Sequence, residues 1–226
     1  MLVTDLGQLT WPDLDGVRPL VVIPVGSTEQ HGPHLPLVTD TVIATALAAR
    51  LVAELDDAVL GPTITIGASG EHQGFAGTLS IGTEALTSVL VETVRSARSW
   101  ARGVVFVNGH GGNLEALEAA RRVSRGEGDR VLVIPCASSG ADLHAGRAET
   151  SLLLYLSPTL VRENEAMAGT SGTMAELETA LRAGGVASVS STGVLGDPTR
   201  ATREEGEARM TEMLERAQMM VAEVFG

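Results

Sequence analysis

Leu20-Val21-Val22-Ile23-Pro24-Val25-Gly26 is an unbroken apolar run closed by a glycine. That pattern belongs to a strand buried on both faces of a parallel sheet, not to the in-out alternation of a half-exposed one. A helix is expected next, over residues 39–55, with Thr39 or Asp40 as its N-cap and Ala-rich turns after it. The same strand-then-helix unit then recurs. A second strand is predicted near residues 59–66, interrupted early by Gly61-Pro62. A helix over residues 83–101 keeps Leu86, Val89, Leu90, Val94 and Ala97 at helical spacing. Residues 104–107 and 131–134 read as further strands, and residues 113–125, 149–156 and 203–224 as helices. Residues 166–202 are rich in Gly, Ser and Thr, with a turn-like stretch from Gly193 to Pro198, and read as a segment wrapped over a site or a subunit contact. Strands alternating with helices of this length predict an α/β fold with a mainly parallel sheet covered on both faces. A single domain over residues 1–226 is expected.

Composition narrows the function. The chain has 226 residues, of which 44% are hydrophobic and 3% aromatic, so its core is built from Ala, Val, Leu and Ile. Sixteen basic residues face 28 acidic ones, a net charge of −12. Such a surface repels phosphate backbones and anionic lipid, which argues against nucleic-acid and membrane partners. No apolar run approaches the roughly 18 residues that span a bilayer, and no basic-then-apolar leader is visible, so a cytoplasmic protein is expected. Every basic residue is Arg. Without Lys there is no Schiff-base chemistry and no Walker-type phosphate loop. The one cysteine, Cys136, excludes an intrachain disulfide and a Cys-rich zinc site, and reads as a small buried residue at a strand end.

The chemistry gathers at one edge. His31, His34, His72, His110 and His144 each lie in a loop after one of the four strands, at its carboxyl end. Ligands bind there in parallel α/β sheets, whereas unrelated loop histidines would have no reason to share an edge. In extended backbone Glu29 and His31 point the same way. Asp40, at the start of the next helix, can fold back to add an oxygen, although a Gly/Pro turn with a helix cap would give the same local pattern. The glycines of Asn108-Gly109-His110-Gly111-Gly112-Asn113 let backbone approach a ligand closely. Glu71-His72 lies in a Gly-flanked loop, and His144 precedes Glu149 at a helix start, where a carboxylate also suits the helix dipole. Imidazole plus carboxylate suits Zn, Mn or Fe, as one ion or as two sharing a carboxylate. Such ions provide a nucleophile at neutral pH and polarise a carbonyl, while a nearby acid or base serves the leaving nitrogen.

The run Gly26-Ser27-Thr28-Glu29-Gln30-His31-Gly32-Pro33-His34-Leu35-Pro36 with Asp40 resembles the first motif of the creatininase family. Glu71-His72 with Phe75-Ala76-Gly77-Thr78, then Asn108 to Asn113 and His144 to Ser151, match the same family in the same order. The resemblance implies a three-layer αβα fold, a homo-oligomer and a one- or two-metal hydrolase of amide, cyclic amide or formamide bonds. Carried over residue by residue, the family's ligands fall on Glu29, His31, Asp40 and His110, with Asp40 as the bridge. Creatininase itself has a metal-binding Glu two residues after the histidine equivalent to His110, where this chain has Gly112. Either Glu149 then serves the second ion, or that site is weak or empty. Ala76 replaces a Pro common among relatives. Residues 137–143 are short and lack Trp, which makes creatinine a poor candidate substrate. His144-Ala145-Gly146-Arg147 and the stretch from Gly193 to Thr199 are most similar to the mycofactocin-system branch, whose peptidase releases a modified C-terminal Val–Tyr dipeptide from a precursor peptide. On that resemblance the substrate is a modified precursor peptide, with His144, Glu149, Glu71 and His72 orienting it or moving protons. The alternatives are a small-molecule amidohydrolase and a metal-binding homologue without turnover.

Overall fold

The computed structural model describes residues 4–226, apart from the Met174 side chain. Four strands, β1 (Leu20–Val25), β2 (Ala58–Leu60), β3 (Gly103–Asn108) and β4 (Val131–Pro135), form one sheet in the order β2-β1-β3-β4. Every pair is parallel, with Val25 opposite Asn108 and Asn108 opposite Pro135, so the carboxyl ends lie level. The helices are α1 (Trp11–Leu14), α2 (Thr39–Ala53), α3 (Gly82–Ala97), α4 (Leu114–Gly126), α5 (Arg147–Leu156), α6 (Met174–Gly184) and α7 (Arg203–Phe225).

The sheet is apolar on both faces because helices cover both. Leu20, Val22, Val105 and Val107 pack against Ile43, Leu47 and Leu51 of α2, Leu153 of α5 and Met213 of α7. The alternate residues Val21, Ile23, Val104 and Phe106 meet Leu86, Leu90 and Val94 of α3 and Leu117 of α4. This is the expected three-layer αβα arrangement. Phe106 is fully buried, and its truncation to Ala would cost about 3–5 kcal/mol.

Two sequence expectations need correction. β2 stops at Leu60, well short of residue 66, because Pro62 has no N–H to offer the ladder; beyond it only Ile64 rejoins β1, at Val25. Neither Thr39 nor Asp40 caps α2. Val38 holds that position, the Thr39 hydroxyl donates to Pro36 O at 2.7 Å, and Asp40 turns inward. The segment 166–202 contains one further helix that the sequence reading does not name, α6, opened by a capping box between Thr173 and Glu176. Among the described residues no helix is long and apolar enough to cross a membrane.

The topology creates one crevice. α2, which follows β1, lies on one face of the sheet, while α4, which follows β3, lies on the other. The loops leaving these neighbouring strands therefore diverge at their carboxyl ends, the switch point at which open parallel sheets bind ligands. Gly109 lets the first turn of α2 close in on β3, because a Cβ there would collide with the Asp40 main chain.

Candidate metal centre

The loops after all four strands deliver side chains to that crevice. The β1 loop gives Glu29 and His31, α2 gives Asp40, and a 3-10 turn at Gly70–His72 gives Glu71 and His72. His110 follows β3, and His144 and Glu149 follow β4. Glu29, His31, Asp40, His72, His110 and His144 are buried. Glu71 and Glu149 are partly open to the cavity above.

Asp40 stands at the centre. Its Oδ1 lies 3.1 Å from His31 Nε2, and its Oδ2 lies 3.4 Å from His110 Nδ1 and accepts from the Ser27 hydroxyl at 2.7 Å. His31 Nε2 is also 3.8 Å from Glu149 Oε2. Glu29 Oε1 lies 3.1 Å from His110 Nδ1, 3.2 Å from His72 Nε2 and 3.9 Å from His144 Nδ1. Three sets of converging donor atoms result: Glu29 with His72 and His110, Glu29 with His31 and His144, and His31 with Asp40 and Glu149.

The residues fit a divalent cation. Glu29 is fully buried, yet neither carboxylate oxygen has an aligned hydrogen-bond partner among the described residues. A buried, unsatisfied carboxylate is costly unless a cation accompanies it. The nitrogen and oxygen donors around it suit Zn, Mn or Fe.

Burial and neighbouring charge set the protonation states. Burial opposes charge on His31, but the Asp40 carboxylate, with Glu149 and Glu29, outweighs it and lifts the pKa to about 9. His110 is also raised despite burial, by the Asp40, Glu29 and Glu71 carboxylates that crowd its ring. His144 is driven well below its usual value by burial and by the charges of His31 and His72, so it is neutral at pH 7. Burial raises Glu149 to about 7. Burial likewise pushes the Cys136 thiol up, with the Asp40 charge adding to it, so no thiolate nucleophile is available.

Surrounding groups absent from the sequence-level site list hold this cluster. Asn113 bridges three loops, donating to Gly26 O at 2.9 Å and to Asn108 Oδ1 at 3.2 Å while accepting from Ala68 N at 2.9 Å. Gln30 sits among His72, His144 and Gly193. Ala145 adopts a left-handed backbone (φ 52°), and its N–H donates to Glu149 Oε2 at 2.6 Å. Such a conformation in a non-glycine residue stores strain, as functional sites often do. His34 stands apart: it is fully buried, and its Nε2 lies 2.9 Å from the Thr150 hydroxyl. Above the cluster opens a cavity of about 600 Å3. Leu114, Leu143, Leu181, Val186 and Leu195 give it an apolar wall, and α6 forms one side, with Gly185 packed on the Glu71 main chain.

Fold and site define a metallohydrolase of the amide-bond class, with its donors at the switch point of a three-layer sheet. The chain belongs to the creatininase family: the family profile described as creatinine amidohydrolase matches residues 7–221. It is 52% identical to the mycofactocin precursor peptide peptidase of Mycolicibacterium smegmatis, over 92% of this chain and 87% of that one. The solved structure of a manganese creatininase superposes with a TM-score of 0.83 at 25% identity, covering 100% of both chains. A mutant creatininase of Zn–Zn type gives the same score, identity and coverage.

Proposed function

We propose that this chain is the peptidase that releases the modified C-terminal Val–Tyr dipeptide of the mycofactocin precursor peptide. The observation that carries the reading is the orphaned Glu29 carboxylate, ringed by imidazoles beneath an open cavity of about 600 Å3. A cavity of that size with an apolar wall suits a peptide end better than a small cyclic amide. The 52% identity to a peptidase of that name over most of both chains supports the substrate class.

In this reading Glu29, His31, Asp40, His110 and Glu149 hold the metal, with Asp40 shared between the His31 and His110 sides. When bound, one or two divalent ions supply an activated water and polarise the scissile carbonyl. Glu29 and Asp40 provide the negative charge that retains the cations. His144, neutral with its Nδ1 turned inward, is placed to take a proton from the attacking water. His144 would then return that proton to the leaving amine. Glu71 holds His110 from outside, with Oε1 3.3 Å from Nε2. The chain acts as one domain, in the cytoplasm and as a homo-oligomer, in keeping with its charge balance and with the family resemblance.

The test is His110→Ala. It should abolish turnover of the precursor peptide and lower bound metal while circular dichroism stays unchanged. An active His110→Ala protein would overturn the reading.

A further inference from the structure

Four imidazoles surround Glu29, and the groups facing their outer nitrogens divide them. His31 Nδ1 lies 3.2 Å from Glu29 O, His110 Nε2 lies 3.3 Å from Ala68 O, and His144 Nε2 lies 2.8 Å from Gln30 O. A carbonyl oxygen only accepts, so each of these outer nitrogens carries a hydrogen. The inner nitrogen of the neutral ring then keeps its lone pair, as a ligand must. His72 differs. Its outer Nδ1 meets the Gln30 amide nitrogen, Nε2, at 2.9 Å. An amide nitrogen only donates, so Nδ1 accepts and the ring hydrogen sits on His72 Nε2, 3.2 Å from Glu29 Oε1.

The Gln30 amide cannot be turned round. Its Oε1 accepts from Gly32 N at 2.9 Å, and its Nε2 donates to Gly193 O at 3.2 Å. Exchanging oxygen and nitrogen would set donor against donor at Gly32 and acceptor against acceptor at Gly193. Gly193 (φ 82°) lies so close that a Cβ there would collide with the amide. The second Nε2 hydrogen is left for His72. His144 Nε2 also lies 3.0 Å away, but it already donates to Gln30 O.

We propose that Gln30 is a positioning residue that sorts the histidines, forcing His72 to present an N–H, not a lone pair, to the metal centre. His72 then stays outside the ligand set, His31 and His110 supply the nitrogen donors, and His144 keeps a free lone pair on its inward Nδ1. Of the three converging sets, Glu29 with His72 and His110 has two ligands and one hydrogen-bond donor. That N–H faces Glu29 Oε1 at 3.2 Å without an aligned hydrogen bond and is free to serve a substrate carbonyl oxygen. The inference rests on the metal-centre reading for its purpose, but tautomers are read without turnover.

The test is long-range 1H–15N correlation spectroscopy of the zinc-loaded, histidine-labelled protein, with a His72→Asn variant to assign the signals. The expected wild-type result is His72 with a hydrogen on Nε2, a bare Nδ1 and no zinc-shifted nitrogen. Gln30→Glu replaces the donor by an acceptor, so His72 should gain a hydrogen on Nδ1. A zinc-bound His72 nitrogen in the wild type, an Nδ1–H tautomer there, or an unchanged His72 pattern in Gln30→Glu would each overturn the proposal. Should Gln30→Glu fail to fold, the wild-type spectrum decides. Peptide cleavage on the same sample is a separate readout: its absence beside the expected tautomers would sink the peptidase reading and leave Gln30's role standing.

Discussion

Gly112 and Glu71 compete for one volume: a Cβ at Gly112 would collide with Oε1 of Glu71 and with Nε2 of His110. Creatininase has a metal-binding Glu at the position of Gly112. Here the space belongs to a carboxylate from a different loop, which touches the outer nitrogen of His110 instead of the inner one. The missing side chain and the presence of Glu71 are two sides of one packing solution. Gly112→Ala should therefore displace Glu71, tilt His110 and weaken metal binding by about 10–100-fold, the usual cost of losing an outer partner of a ligand. Competition with a chromophoric chelator measures this, and an unchanged affinity would contradict it.

Asp40 contacts both His31 and His110, whereas Glu149 reaches His31 and not His110. Asp40→Ala should lower metal affinity by more than ~100-fold, beyond the loss of an outer partner. Glu149→Ala should leave the Glu29–His110 side able to bind. Elemental analysis after desalting distinguishes the two. Equal metal loss in both variants would argue against Asp40 as the shared residue.

In the metal-free protein His31 is raised from 6.5 to about 9. A raised pKa stabilises the metal-free fold below about pH 6.5, and that contribution is lost as pH rises through about 9. Metal must displace the same proton. Affinity should therefore climb with pH up to about 9, and at about pH 7.5 each centre should release at least about one proton on binding. Calorimetry in buffers of different ionisation enthalpy reads the count directly, and metal uptake without proton release would refute the assignment.

His34 shows the opposite sign. Burial, then the charge of His31, lowers it to about 4, so it is neutral in the fold while the unfolded chain takes up a proton near 6.5. Its contribution is present above about pH 6.5 and is lost as pH falls to about 4. Urea unfolding at about pH 7 and about pH 4.5 should show a smaller pH dependence for His34→Asn, with a stability cost at neutral pH of about 1–3 kcal/mol. An identical pH dependence would show that other groups carry the acid sensitivity.

The run Leu20–Val25 announces a doubly covered parallel strand because apolar residues at both parities need partners on both faces. The histidines announce the crevice because each follows a strand. Position along the chain suffices for that much. Partners distant in sequence are different. Gln30 meets Gly193 across 163 residues, and no local pattern hints at it. Asp40 reads equally as a cap or a ligand until the packing of Gly109 shows which way it turns. Thr173 and Glu176, three residues apart, are the local signal of α6, and the surrounding Gly, Ser and Thr obscure it. The apolar residues beyond Pro62 suggest a longer β2 than forms, because a proline without an N–H weighs more in a ladder than they do.

Mass spectrometry of a modified precursor peptide ending in Val-Tyr, incubated with the metal-loaded protein with and without chelator, tests the central claim most directly. The expected result is loss of the C-terminal dipeptide, abolished by chelator and restored by added metal. An intact peptide in the presence of protein shown to carry metal would contradict the peptidase assignment and shift the substrate to small amides or formamides.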